Sequence, residues 1–169
     1  MGEKFSHAAA KKAAGSSPSA TNVNPPRPGP EGVKLTLKRS EILSGKNNFQ
    51  LVFQQGRKIQ GKYLHCLVLA DERLRLREGS KSGVGFTAPG NLKRAVDRNR
   101  LKRLLREAYR VNKAILRPRL KHESKPLALV FLYSSSITKT QPFPTYKDVE
   151  ADMKNLLHLL AGTKAGVPG

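Results

Sequence analysis

From Leu35 onward, apolar and polar positions predict the order helix, strands, helix, strand, helix. Phe49-Gln50-Leu51-Val52-Phe53 with Gly56 beyond reads as a short helix closed by a C-terminal glycine. Tyr63 to Leu69 is an apolar, β-favouring run of strand length, and Val84-Gly85-Phe86-Thr87-Ala88 is a second strand broken by Pro89-Gly90-Asn91. Residues 71–82, charged and glycine-containing, predict a turn or an irregular hairpin end. Residues 93–110 then repeat at 100° per residue, and this helix extends to about Asn112. Pro118 and Pro126 bracket a loop. Leu127 to Tyr133 is almost continuously apolar, which predicts a strand in the interior of a sheet. Thr145 and Asp148 have the spacing of a capping box, and they open a last helix with Val149, Met153, Leu156, Leu157 and Leu160 on one face. The implied fold is α+β, a small α/β sandwich with helices packed on one sheet.

The helix at 93–110 changes the picture most. Leu101, Leu104, Leu105 and Ala108 form its apolar stripe, and Arg98, Asn99, Lys102, Arg103, Arg106 and Arg110 fall on the other side. Its only acids are Asp97 and Glu107. An ordinary solvated helix face alternates charge sign for i,i+4 pairing, and this one hardly does. A block of guanidinium groups on a helix anchored by its other face suits a polyanion. Composition agrees: the 169 residues hold 32 Lys+Arg against 12 Asp+Glu, a net charge of +20. Nucleic acid is the first candidate partner. DNA is disfavoured, because no helix-turn-helix pairing precedes the basic helix. No apolar run approaches the ~20 residues that span a bilayer. The single cysteine, Cys66, lies inside an apolar run and reads as a small core residue in a reducing compartment.

Residues 1–33 lack hydrophobic periodicity, mix Ala/Lys, Ser and Pro-rich stretches, and read as a disordered basic tail. They also lack the apolar core of a secretory signal. Met1-Gly2-Glu3-Lys4-Phe5-Ser6 fits a myristoylation pattern formally, but patterns this short arise by chance. The folded domain is expected at 34–161, with a short tail at 162–169.

Little points to catalysis by the chain's own side chains. His7, His65, His122 and His158 are scattered without metal-ligand spacing, and no nucleophile elbow or phosphate-binding glycine loop occurs. Asp148, Glu150 and Asp152 form the one carboxylate cluster. A two-metal nuclease wants such acids, but acids at a helix start also complement its dipole, and that reading is preferred.

Gly85-Phe86-Thr87 followed by Arg94-Ala95-Val96-Asp97-Arg98-Asn99-Arg100-Leu101-Lys102-Arg103-Leu104-Leu105-Arg106-Glu107-Ala108-Tyr109-Arg110 closely resembles the Arg-Asn-Arg region of the bacterial ribonuclease P protein component. Phe49 to Gly56 looks like that family's first helix, and Lys38-Arg39 like the basic pair before it. The resemblance spans about Leu35 to Ala161. It implies a four-stranded sheet in α-β-β-β-α-β-α order with a left-handed βαβ crossover. It further implies a cytoplasmic, non-catalytic subunit that binds a catalytic RNA, which with Mg²⁺ removes the 5′ leader of precursor tRNA. Carried over, Arg98, Asn99, Arg100, Lys102, Arg103 and Arg106, with Lys38 and Arg39, face RNA, and Phe49 and Phe53 line a cleft for the single-stranded leader. Aromatic faces stack on unpaired bases while cations hold the backbone. Spaced i,i+4, the two rings equally suit packing of the first helix onto the sheet. Two departures stand out: Pro89-Gly90-Asn91 occupies the place of a Ser-Lys-Lys run, and about Ile42 to Lys46 lengthens the link after Lys38-Arg39. The alternative function is a non-catalytic, ribosome-associated RNA-binding protein.

Overall fold

The computed structural model describes residues 36–138 and 143–162. The tails expected at 1–33 and, apart from Gly162, at 162–169 lie outside the described residues. The elements are α1 (Lys46–Gln55), β1 (Arg57–Gln60), β2 (Leu64–Ala70), β3 (Ser82–Thr87), α2 (Ala95–Asn112), α3 (Arg117–His122), β4 (Leu127–Tyr133) and α4 (Tyr146–Gly162), with short 3₁₀ turns at Arg39–Glu41, Lys113–Leu116 and Ser135–Thr138. The strands form one mixed sheet in the order β1-β2-β4-β3. β1–β2 and β2–β4 are antiparallel, and β3–β4 is parallel, connected through α2 and α3.

The continuous apolarity of Leu127 to Tyr133 has a direct structural cause. Leu127, Leu129, Phe131 and Tyr133 enter a core shared with α2 and α4, whereas Ala128 and Val130 enter a second core shared with α1. β4 is therefore covered on both faces, as a central strand must be. On the larger side, Leu101, Leu105 and Ala108 of α2 and Val149, Met153, Leu156, Leu157 and Leu160 of α4 are buried. Burying a leucine side chain fully contributes about 1.5–3 kcal/mol. Tyr109 sits among Phe86 and Phe131, with ring centroids 5.7 and 5.6 Å away. The Tyr133 hydroxyl donates to the Leu101 carbonyl at 3.0 Å, which fixes α2 near its start. Burial pushes the Tyr133 and Tyr109 hydroxyls and the Cys66 thiol up, so all three stay neutral core groups.

Local signals mostly match the elements. The Gly56 N–H closes α1 on the Val52 carbonyl at 2.9 Å. The Thr145–Asp148 box forms, with the Thr145 N–H donating to the Asp148 carboxylate at 2.9 Å and the Asp148 N–H reaching Thr145 Oγ1 at 3.4 Å. Those Thr145 contacts hold the Asp148 carboxyl below its usual range. Two elements differ from expectation. The segment between Pro118 and Pro126 contains the short helix α3, because a proline is well placed in a first helical turn, where its missing N–H has no partner to lose. β1 carries one inward apolar residue, Ile59, among exposed polar ones, and so has little strand signature of its own. The lengthened link after the basic pair is tied down: Ile42 bridges Val84 in parallel, and the Leu43 N–H donates to the Val84 carbonyl at 2.9 Å.

Candidate nucleic-acid interface

Two surface features stand out. The first is the outward face of α2. Its start follows a turn closed by the Leu92 N–H on the Pro89 carbonyl, with Leu92 buried as the anchor. Asn99, Arg100, Arg103 and Arg106 are exposed, and Lys102 is half-buried. Arg98 differs from its neighbours: its guanidinium donates back to the Leu92 carbonyl and, at 3.2 Å, to the Lys93 carbonyl. It therefore clamps the entry turn as well as adding charge. Arg110, at the far end, is paired with Glu107 at 2.5 Å. Lys93 and Arg94, exposed just after Pro89-Gly90-Asn91, extend the cationic face toward the turn.

The second feature is a cross-strand row on the sheet face that carries α1. Alternation along the strands puts Gln60, His65, Leu132 and Thr87 in one cross-strand row on that face. Gln60 is exposed, and the other three are half-buried. Phe49 packs over Gly85, two residues before Thr87 on the same strand face. Phe53, one helical turn on, remains 52% exposed. The two aromatic rings thus divide: Phe49 joins the α1 core, and Phe53 stays exposed. Sequence reasoning did not group Gln60, His65 and Thr87. Cross-strand register brings them together, and no local pattern encodes it. Burial first, then the nearby Lys58 charge, lowers the His65 pKa, which keeps the imidazole neutral.

Lys38 and Arg39 are exposed but stand apart from the start of α2. Lys38 precedes and Arg39 opens the 3₁₀ turn that bears Glu41, whose carboxylate receives Lys113 Nζ at 2.8 Å just past the C-terminal end of α2. Arg98 and Lys113 are about 22 Å apart along the axis at 1.5 Å per residue.

The carboxylates of α4 disperse into structural tasks. Asp148 caps the helix, and Glu150 pairs with Lys154 at 3.2 Å. Asp152 is buried and accepts the backbone N–H groups of Lys62, Tyr63 and Leu64 at 3.0, 2.8 and 2.8 Å. Its role is thus to cradle a turn of the sheet, not to complement the helix dipole. Among the described residues, no three His, Cys, Asp or Glu side chains converge as metal ligands.

These features define a class: a small, strongly basic α+β domain whose second helix turns a cationic face outward. Comparison with known proteins narrows it. The ribonuclease P family model matches residues 37–160. The chain is 33% identical over 133 residues to the ribonuclease P protein component of Chlorobaculum tepidum, covering 76% of this chain and 84% of that one. It is 31% identical over 132 residues to the Porphyromonas gingivalis component, covering 75% and 87%. In fold it resembles the ribonuclease P protein of Thermotoga maritima, with a TM-score of 0.54 at 24% identity over 70% of this chain and 96% of that one. The Staphylococcus aureus protein gives 0.51 at 14% identity over 79% and 99%. The chain belongs to the ribonuclease P protein component family.

Proposed function

We propose that this chain is the cytoplasmic RNA-binding subunit of ribonuclease P, which holds a catalytic RNA and the 5′ leader of precursor tRNA while the RNA cleaves the leader. The carrying observation is the exposed row Asn99, Arg100, Arg103 and Arg106 on a helix whose other face is fully anchored in the core. Such a face neutralises phosphates without reorganising. Arg98 contributes mainly by fixing the turn into α2. Phe53 offers a stacking surface for an unpaired leader base, which suits a leader of any sequence. In this reading Mg²⁺ is held mainly by the RNA.

Protein freed of RNA should not cut precursor tRNA, yet should lower the Mg²⁺ that the co-purifying catalytic RNA needs for cleavage. Robust cleavage by the protein alone would sink the proposal. Co-sedimentation with ribosomal subunits and no stimulation of processing would favour a ribosome-associated role instead. Arg103→Ala with Arg106→Ala should reduce the salt dependence of RNA binding by about 0.7–0.9 log units for each phosphate no longer neutralised. An unchanged slope would remove this face from the interface.

A further inference from the structure

Residues 73–77 read Arg-Leu-Arg-Leu-Arg, and the structure separates the two residue types. Leu74 is 4% exposed, and Leu76 is half-buried against the α1 core. Arg73, Arg75 and Arg77 are all exposed. The segment is pinned to α1 by Asn48, which is itself buried. Asn48 Oδ1 accepts the Arg75 N–H at 3.0 Å, and Asn48 Nδ2 donates to the Arg75 carbonyl at 2.8 Å. Arg73 is held by the Asp71 carboxylate at 2.6 Å and by Gln55 Oε1 at 2.5 Å. The Arg73 guanidinium holds the Asp71 pKa down at about 2. The ion pairs among the described residues include neither Arg75 nor Lys46.

Between this segment and α1 runs a groove of about 700 Å³. Lys46, Asn47, Gln50 and Gln54 line its helix side, Arg73 and Arg75 the other, and Leu51 contributes an apolar patch. Among the described residues, no carboxylate lines it. A solvated surface of this basicity would mix in acids. Here the chemistry is sorted instead: guanidinium forks that match phosphate oxygens face primary amides that donate and accept together. That pairing fits an unpaired nucleotide strand, whose base edges are free to meet amides while its backbone carries the charge. The groove lies along the side of α1 bearing Asn47, Gln50, Leu51 and Gln54, whereas Phe49 packs over Gly85 on the sheet.

We propose that this groove is a second RNA site, which takes a single-stranded segment with phosphates on Lys46 and Arg75 and base edges on Asn47, Gln50 and Gln54. The inference rests on the RNA-binding function proposed above. Two sources offer the same chemistry: the precursor leader continuing past Phe53, or an unpaired segment of the catalytic RNA.

The test uses the full chain with Lys46→Ala and Arg75→Ala, both exposed positions, so that the thermal melt should stay at the wild-type temperature. Affinity is measured across salt concentration with the co-purifying catalytic RNA alone, and with holoenzyme binding short-leader and long-leader precursor tRNA. Removing two cations that each neutralise a single-strand phosphate should lower the slope of log K against log salt by about 1.4. A drop with the catalytic RNA alone assigns the groove to that RNA, and a drop confined to long-leader precursor assigns it to the leader. Gln50→Ala with Gln54→Ala should weaken the same arm without changing its slope. Equal slopes for wild type and the Lys46→Ala, Arg75→Ala variant in all three arms would overturn the second site alone. Wild-type protein that bound neither RNA would overturn the function and the site together.

Discussion

The Phe49 ring occupies the space that a side chain at Gly85 would need. A Cβ placed there would lie 2.6 Å from Phe49 Cε1 and 2.9 Å from Cζ, with Val130 Cγ2 at 3.3 Å on another side. The missing side chain on β3 therefore sets how deeply α1 seats on the sheet. Gly85→Ala should push the ring outward and cost about 1–3 kcal/mol as an overpacked site. Phe49→Leu in the same molecule should return part of that cost, because the shorter side chain frees the space. Urea unfolding of the four proteins in this cycle measures the coupling. Strictly additive costs would show that the two positions do not compete for one volume.

The neighbouring ring should behave differently. Phe53 is 52% exposed, so Phe53→Ala should change stability by no more than about 0.5 kcal/mol, as surface substitutions do. It should weaken leader binding by about 1–3 kcal/mol, the usual worth of one stacked base. Phe49→Ala should do the reverse, lowering the unfolding midpoint first. Precursors with and without a leader, compared for both variants, separate the two roles. Equal loss of affinity for leaderless substrate in Phe53→Ala would exclude the stacking role.

The division of the two rings also shows what the sequence could carry. The leucine stripe of α2, the apolar run of β4 and the Thr145–Asp148 box are local patterns, and each forms where its pattern lies. The i,i+4 spacing of Phe49 and Phe53 was equally local, but it could not say which ring would meet a glycine on another strand. That depends on the parallel pairing of Gly85 with Val130, 45 residues later in the chain. The same holds for β1: one inward isoleucine among polar residues becomes a strand because β2 offers it an edge. Asp152 was legible as an acid on a helix. Its three backbone partners lie about 90 residues upstream, and no periodicity reports them.

His65 gives a pH-dependent prediction. Its pKa is lowered by burial and by Lys58, while the Leu64 backbone and Asp152 act weakly the other way. The folded form therefore binds its proton less readily than the unfolded chain, whose imidazole titrates near 6.5. The stability contribution is complete above that value and is lost as pH falls through it toward the lower folded pKa. An NMR titration should place the His65 midpoint below 6.5, and Lys58→Ala should raise it. A midpoint unmoved by Lys58→Ala would leave burial as the sole cause.

Asp152 offers the sharpest separation of fold from function. Its carboxylate satisfies three consecutive N–H groups at the start of β2, and Gly61 makes the approach feasible, since a Cβ there would lie 2.5 Å from Oδ1. Asp152→Ala should leave the buried Leu64 N–H without a partner and expose the turn to rearrangement. The expected cost is about 2–4 kcal/mol, because each unsatisfied buried donor costs about 1–3 kcal/mol and the exposed Lys62 end regains water. Asp152→Asn should fall between, because its one carbonyl oxygen serves three donors while its NH₂ faces a fellow donor. Neither variant touches the outward face of α2. At temperatures where the protein stays folded, each should bind RNA with the wild-type salt slope while its urea midpoint falls. A changed slope with an unchanged midpoint would instead return this carboxylate to the RNA-facing chemistry from which its burial removes it.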